Sequence, residues 1–251
     1  MVLSRTQFAA LLIAGILLRA VALPGPGTGD LTVWKVWSYN AARHGVGSMY
    51  GVGGTPVERR ELEYAGAKAT VDYPPLALIE LGAAGQAYRA WSGRRFPNAT
   101  PLNAFVKLPG IAAEIGLALL LFAIVRPQLG VDAARLAVAS YWINPAALFD
   151  ASILGYLDPQ YVLPAVAAVA AAASGWPAAA GALIAAAILT KAQGVFIAPA
   201  DTMTSRWQRM TRDRRRWDTS MPTAAVLWTT RRVTSVLRRR VRLGRLRAGR
   251  R

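Results

Sequence analysis

Residues 104–125 read AFVKLPGIAAEIGLALLLFAIV, a run broken by only two charges, Lys107 and Glu114. About 20 such residues cross the hydrocarbon of a bilayer as one helix. The chain repeats the pattern on both sides of this run. Residues 8–23 are apolar apart from Arg19, and further runs occupy 74–91, 133–149, 161–173 and 176–198. The apolar positions come in blocks, not in stripes, which points to helices in lipid. One or two such blocks fit inside a globular core, but six leave almost no polar surface. The expected fold is therefore all-α, a polytopic membrane bundle of about six spans. The first run could also be a signal peptide, with Arg5 in front and Ala20-Val21-Ala22 behind. Because further apolar runs follow, it is read as a retained helix. The chain has no cysteine, which excludes disulfides and thiolate metal sites.

About fifty hydrophilic residues separate the first two runs, far more than a usual helix connection. This first loop opens on Gly29-Asp30 and closes on Asp72-Tyr73-Pro74-Pro75-Leu76. Pro24-Gly25-Pro26-Gly27 stops the first helix and holds the chain near the membrane face. Asp30 is then either the N-cap of a short helix starting at Leu31 or a general base at the interface. Residues 31–43 carry Trp34, Trp37 and Tyr39 with Lys35 and Arg43, the composition of a helix lying at headgroup level. His44, the single histidine, reads as a solvated loop residue. Glu58, Arg59, Arg60, Glu61 and Glu63 read as a solvated turn or short helix. Two prolines at the entry of the second run fix its direction, but they do not explain an acid and a tyrosine so close to the hydrocarbon.

Net charge is +17 and unevenly spread. Residues 1–200 carry 14 Lys or Arg against 10 acids, whereas residues 201–251 carry 16 Arg, no Lys and 3 acids. The first part is the expected transmembrane domain and the second an Arg-rich tail. Such a tail suits anionic lipid or nucleic acid. It also has the composition of out-of-frame translation from a GC-rich gene. This last reading is favoured over nucleic acid, because lysine is wholly absent and the helical pattern stops abruptly.

Ionisable groups inside spans are costly and face an interior site. Lys107 and Glu114, seven residues apart, share one helix face and are either interhelical glue or ligands. Glu80, Asp150, Asp158 and Lys191 are further cases. Asp158 lies in the probable helix break Gly155-Tyr156-Leu157-Asp158-Pro159. Lys191, in Thr190-Lys191-Ala192-Gln193, either snorkels to the surface or binds a lipid phosphate.

Several of these segments together resemble the GT-C superfamily of polytopic glycosyltransferases that use polyprenyl-phosphate sugars. They are Gly29-Asp30, Asp72-Tyr73-Pro74-Pro75-Leu76, Lys107-Leu108-Pro109 with Glu114, Asn144-Pro145, Gly155 to Asp158 and Lys191-Ala192-Gln193. The resemblance covers roughly residues 5–200. It implies hexosyl-, mannosyl- or pentosyl-transfer with inversion, from a polyprenyl-phosphate sugar to an extracytoplasmic or lipid-linked acceptor. It places the catalytic base on Asp30 and substrate contacts on Asp72, Tyr73, Lys107, Glu114, Asp158, Lys191 and Gln193. No cofactor is expected; Asp72 or Asp158 either orients the sugar or binds an ion, and dependence on a divalent metal is left open. Family members often have Gln where this chain has Tyr156 and Asp where it has Glu114. They are also longer, so the chain is expected to be an N-terminal fragment, either active or an inactive truncated form. The competing class is a polytopic transporter or lipid flippase, although no inverted repeat links residues 1–100 with 101–200.

Arg5, Arg89, Arg94 and Arg95 favour a multi-pass plasma (inner) membrane protein with a cytoplasmic N-terminus. Strict alternation of six spans then puts Asp30 outside and Asp158 inside, on opposite faces.

Overall fold

A computed structural model describes residues 2–50 and 61–197. The Arg-rich tail and Glu58, Arg59 and Arg60 lie outside the described residues. In chain order the elements are α1 (Arg5–Ala22), α2 (Gly29–His44), α3 (Val46–Met49), β1 (Leu62–Tyr64), β2 (Ala67–Ala69), α4 (Pro75–Trp91) and α5 (Thr100–Leu129). They are followed by α6 (Val131–Trp142), α7 (Pro145–Ala147), a π-helical turn (Leu148–Leu154), α8 (Asp158–Ala173), α9 (Pro177–Thr190) and a 3₁₀ turn (Ala192–Ile197). The described chain is thus mostly helical. Among its helices, α1 and α5 are long and apolar enough to cross a membrane.

α1 starts with a reciprocal capping box, Ser4 accepting from the Gln7 N–H at 3.1 Å and Gln7 accepting from the Ser4 N–H at 3.0 Å. Its closest backbone neighbours are α6 and the π-helical turn, and it runs antiparallel to α5, which it meets through side chains. Asn103 donates to the Pro24 carbonyl at 2.8 Å at one end. Arg19 meets Glu114 at 2.7 Å further along, and Phe8 and Leu12 pack with Ala118 and Phe122 towards the other end. Gly130 (φ 86°) turns the chain back into α6, whose Trp142 indole donates to the Leu12 carbonyl at 3.0 Å. α8 and α9 form a second antiparallel pair, and their outer ends are joined by Asp158 and Lys191.

A separate layer covers the end of α1 where it approaches the start of α5. It consists of α2, α3, the β1–β2 hairpin and α4. The hairpin turns at Ala65 and Gly66 (φ 51° and 80°), the two left-handed positions of a tight antiparallel turn. Part of the charged stretch expected as a turn or helix is therefore a strand. Glu61 precedes β1 and pairs with Lys68 at 2.9 Å, while Tyr64 turns inward and stacks on Tyr39 at 4.6 Å.

α4 coincides with the run 74–91, and its apolar face is directed at α2. The Ser38 hydroxyl donates to the Leu81 carbonyl at 2.9 Å. A Cβ on Gly85 would stand 2.5 Å from the Ser38 carbonyl oxygen, so the two backbones touch there. Both ends of α4 stay at the same end of the α1–α5 pair. Tyr73, just before it, packs on Trp34. Tyr88 and Trp91, at its other end, pack on Phe105 in the opening turns of α5. One face of it is covered: Ala77, Leu78, Leu81 and Tyr88 are fully buried in a cluster with Trp37 and Leu31.

Candidate functional site

The site lies where the start of α2 meets the break between the π-helical turn and α8. Gly27 adopts a left-handed φ of 66°, and a Cβ there would come within 2.8 Å of the Leu154 carbonyl. That carbonyl accepts from the Thr28 N–H at 3.0 Å and from its hydroxyl at 3.3 Å. Gly155 (φ 79°) closes the π-helical turn by donating to the Asp150 carbonyl at 3.0 Å. Its own carbonyl accepts from the Trp34 indole at 3.0 Å. A side chain at Gly155 would press on Leu31 (3.0 Å) and Lys107 (3.1 Å). The segment Gly155 to Asp158 is thereby fixed against α2, and Asp158 opens α8.

Asp30 is the second residue of α2, behind Thr28 at the N-cap position. The capping role for Asp30 therefore does not apply, and α2 begins at Gly29, not Leu31. Its exposed carboxylate makes no hydrogen bond or ion pair among the described residues. A negative charge in a first helical turn is favourable, because it faces unpaired N–H groups. Asp30 lies one turn ahead of Trp34 on the same helix face.

Trp34 connects this end of α2 to a neighbouring cleft of about 450 Å³. Asp72, Tyr73, Lys191 and Gln193 line the cleft, and Val195 and Phe196 stand at its apolar side. Lys191 forms an ion pair with Asp158. Its ammonium also sits 5.8 Å from the Tyr73 ring and 5.6 Å from the Tyr161 ring, within reach of the negative ring faces. Tyr73 is wedged against Trp34 (5.1 Å) and Trp37 (5.4 Å), and its carbonyl accepts from the Tyr50 hydroxyl at 2.6 Å. Burial raises the Tyr73 phenol above its usual pKa, although the Lys191 cation opposes the shift. The phenol is thus a neutral hydrogen-bond donor at neutral pH. Trp34 and Trp37 are buried in the layer, not presented to headgroups, because α4 and Tyr73 cover them.

The structure brings Asp72, Tyr73, Asp158, Lys191 and Gln193 together and links them to Asp30 through Trp34. Lys107 and Glu114 are placed elsewhere. They share a face, as their spacing requires, but it is directed at α1. The Lys107 ammonium donates to Ser152 (2.9 Å), Gly25 (3.1 Å), Ile153 (3.1 Å) and Ala22 (3.4 Å) carbonyls. It ties the end of α1 to the end of the π-helical turn and neutralises their carbonyl dipoles. Glu114 holds Arg19, which also donates to Trp142 (2.9 Å) and Gly15 (3.2 Å) carbonyls and lies 3.8 Å over the Trp142 ring. Both residues therefore tie bundle elements together, and neither lines the Lys191 cleft.

Sequence reasoning missed Arg19 as the partner of Glu114 and Trp34 as the connector of the site. The signal for Arg19 was a cation in an otherwise apolar helix, matched by an acid in another. Gln160 was also missed. With its amide oriented to suit its neighbours, it donates to Glu80 at 2.9 Å and accepts from the Gly110 N–H at 3.2 Å. That contact joins α8 to α4 and α5 beneath the cleft.

Compared with protein-family models, curated proteins and solved structures, the chain matches none. The chemistry must be read from the site itself. It offers a free carboxylate, a cation already paired with an acid, a neutral phenol and a cleft with one apolar wall. Among the described residues no three His, Cys, Asp or Glu side chains gather as metal ligands would.

Proposed function

We propose that the chain is a multi-pass membrane glycosyltransferase domain of GT-C type. It uses a polyprenyl-phosphate sugar as donor and Asp30 as base. The supporting observation is that the Asp30 turn of α2 is docked on Leu154 and Gly155 and, through Trp34, on Tyr73 of the Lys191 cleft. A general base and a cleft lined by Lys191 at one end of an apolar bundle suit a donor whose phosphate sits at headgroup level.

In the proposed reaction the acceptor hydroxyl gives its proton to Asp30 and its oxygen bonds to the anomeric carbon. The bond from that carbon to the phosphate oxygen breaks, and the polyprenyl phosphate leaves with the electron pair. Positioned base catalysis supplies roughly 10²–10⁴-fold. Lys191 offsets charge growing on the leaving phosphate, sharing itself between that anion and Asp158. Tyr73, Asp72 and Gln193 are assigned to the sugar.

In the proposed membrane arrangement α4 lies beside α2 and is not a crossing. With α1, α5, the α6-to-π-turn segment, α8 and α9 as five crossings, Asp30 and Asp158 fall on the same face, and the alternation problem disappears. The connection carrying Arg89, Arg94 and Arg95 then runs from residue 23 to 99. A loop of this length is a weak determinant of orientation, but Arg89, Arg94 and Arg95 stand close to the start of α5 and count against an outer position. Arg5, Arg126 and Arg135, at the opposite end, keep the N-terminus cytoplasmic.

The test is transfer from radiolabelled polyprenyl-phosphate hexose by the chain in proteoliposomes. Asp30→Asn lowers turnover by about 10²-fold or more with donor binding intact, whereas Lys191→Ala weakens donor binding. Near-normal turnover by Asp30→Asn, or no donor binding by the unaltered chain, contradicts the proposal.

A further inference from the structure

The end of α4 remote from the cleft carries a second surface that the transfer chemistry does not use. Trp91 is the last residue of α4 and is 62% exposed. Its covered face stacks on Tyr88 at 5.9 Å and meets Phe105 at 5.8 Å. Phe105 lies in the opening turns of α5, where the long apolar helix begins. The indole is therefore held at the height at which α5 leaves the polar layer, with its open face pointing away from the protein.

Three cations flank it. Gly93 and Arg94 both adopt left-handed conformations (φ 68° and 67°), and the Arg94 N–H donates to the Arg89 carbonyl at 2.8 Å. This turn folds Arg94 and Arg95 back beside Arg89. All three are exposed, and none pairs with an acid among the described residues. A left-handed conformation costs a non-glycine residue about 1–2 kcal/mol, so the turn is maintained by its surroundings: the Tyr88 hydroxyl donates to the Pro97 carbonyl at 2.8 Å and the Tyr64 hydroxyl to the Phe96 carbonyl at 3.0 Å.

We propose that Arg89, Trp91, Arg94 and Arg95 form a docking surface for the headgroups of anionic phospholipid in the surrounding bilayer. An exposed indole with three exposed, unpaired arginines within four residues of it matches that layer in both polarity and charge: the ring prefers the interface, and guanidinium forks bind phosphate oxygens two at a time. The surface anchors the far end of α4, so that the layer carrying Tyr73 lies flat on the membrane and not free above it. The inference rests on the membrane arrangement proposed above but not on the transfer reaction.

The absence of cysteine allows single-site labelling of the whole chain. A nitroxide on Ala90→Cys, an exposed position of α4, is compared in nanodiscs of phosphatidylcholine with and without phosphatidylglycerol. Accessibility to oxygen and to a water-soluble nickel chelate then gives its depth. A second label on Leu119→Cys, exposed in the middle of α5, tests the membrane arrangement independently. The expected result is headgroup depth at residue 90 and hydrocarbon depth at residue 119. R89Q/R94Q/R95Q, with the same label, shifts residue 90 towards water and loses at least fivefold of the phosphatidylglycerol retained on purification, since one cation at a membrane contributes about 1 kcal/mol. Hydrocarbon depth at residue 90, water exposure in both lipids, or unchanged lipid retention in the triple variant overturns the inference. A Leu119 label in water overturns the membrane arrangement as well.

Discussion

Lys107 donates to four carbonyls drawn from the end of α1 and the end of the π-helical turn. Leaving buried acceptors unmatched costs roughly 1–3 kcal/mol each. Lys107→Met is therefore expected to lower stability by about 3 kcal/mol or more, measured as the shift in thermal unfolding in detergent; a change below about 0.5 kcal/mol would contradict the clamp. Arg19 and Glu114 behave differently as a pair than singly. Removing one partner strands a buried charge, at roughly 3–5 kcal/mol, whereas an apolar replacement of both is far milder. Glu114→Leu should thus be more harmful than the double change Arg19→Leu with Glu114→Leu, and the reverse order would show that the pair carries no such load. At Gly155 the left-handed backbone and the nearby Leu31 and Lys107 atoms leave no room for a side chain. Gly155→Ala is expected to cost about 1–2 kcal/mol from conformation alone and to weaken donor binding, because it shifts the Asp158 segment. Among these residues the sequence announced the charges but not their partners. Lys107 and Glu114 were recognisable as costly ions in an apolar helix; that they answer to α1 depends on antiparallel packing, which spacing along one helix does not encode.

Apolarity along a segment does not distinguish burial against protein from exposure to lipid, and α4 shows the consequence. Its run of leucine and alanine reads as a span, and within it Ala77, Leu78, Leu81 and Tyr88 are buried in the cluster shared with α2 while Ile79 and Trp91 are exposed. Two signals in the sequence did bear on this. Gly82 and Gly85 sit where the backbones of α4 and α2 approach. Gly85→Val is expected to push α4 off α2, since even a Cβ there would lie 2.5 Å from the Ser38 carbonyl. The measurable outcome is rapid proteolysis within 45–99 while the α1–α5 pair stays protected; unchanged protection would mean that the close approach does not hold the layer. The α2 helix was easier to find, because its aromatic and cationic composition marks a helix with an apolar face. Its buried tryptophans were misplaced at the headgroup level because nothing local reveals the Tyr73 lid. The hairpin escaped notice because three-residue strands carry too little alternation, and only Ala65-Gly66 marked the turn.

At the scale of the molecule, the proposed arrangement treats α4 as a surface helix and not as a crossing. It brings the end of α1, the start of α8 and the end of α9 to one end of the bundle, and so unites Asp30, Tyr73, Asp158 and Lys191. The measurement that tests this most directly is labelling of single cysteines in sealed vesicles by a membrane-impermeant maleimide. Thr32→Cys, Tyr156→Cys and Leu129→Cys report the α2 layer, the segment before α8 and the far end of α5. The arrangement described here requires residues 32 and 156 to label from the same side and residue 129 from the other. Labelling of residues 32 and 129 from one side, with 156 opposite, would restore the six-crossing alternation and separate Asp30 from the Lys191 cleft.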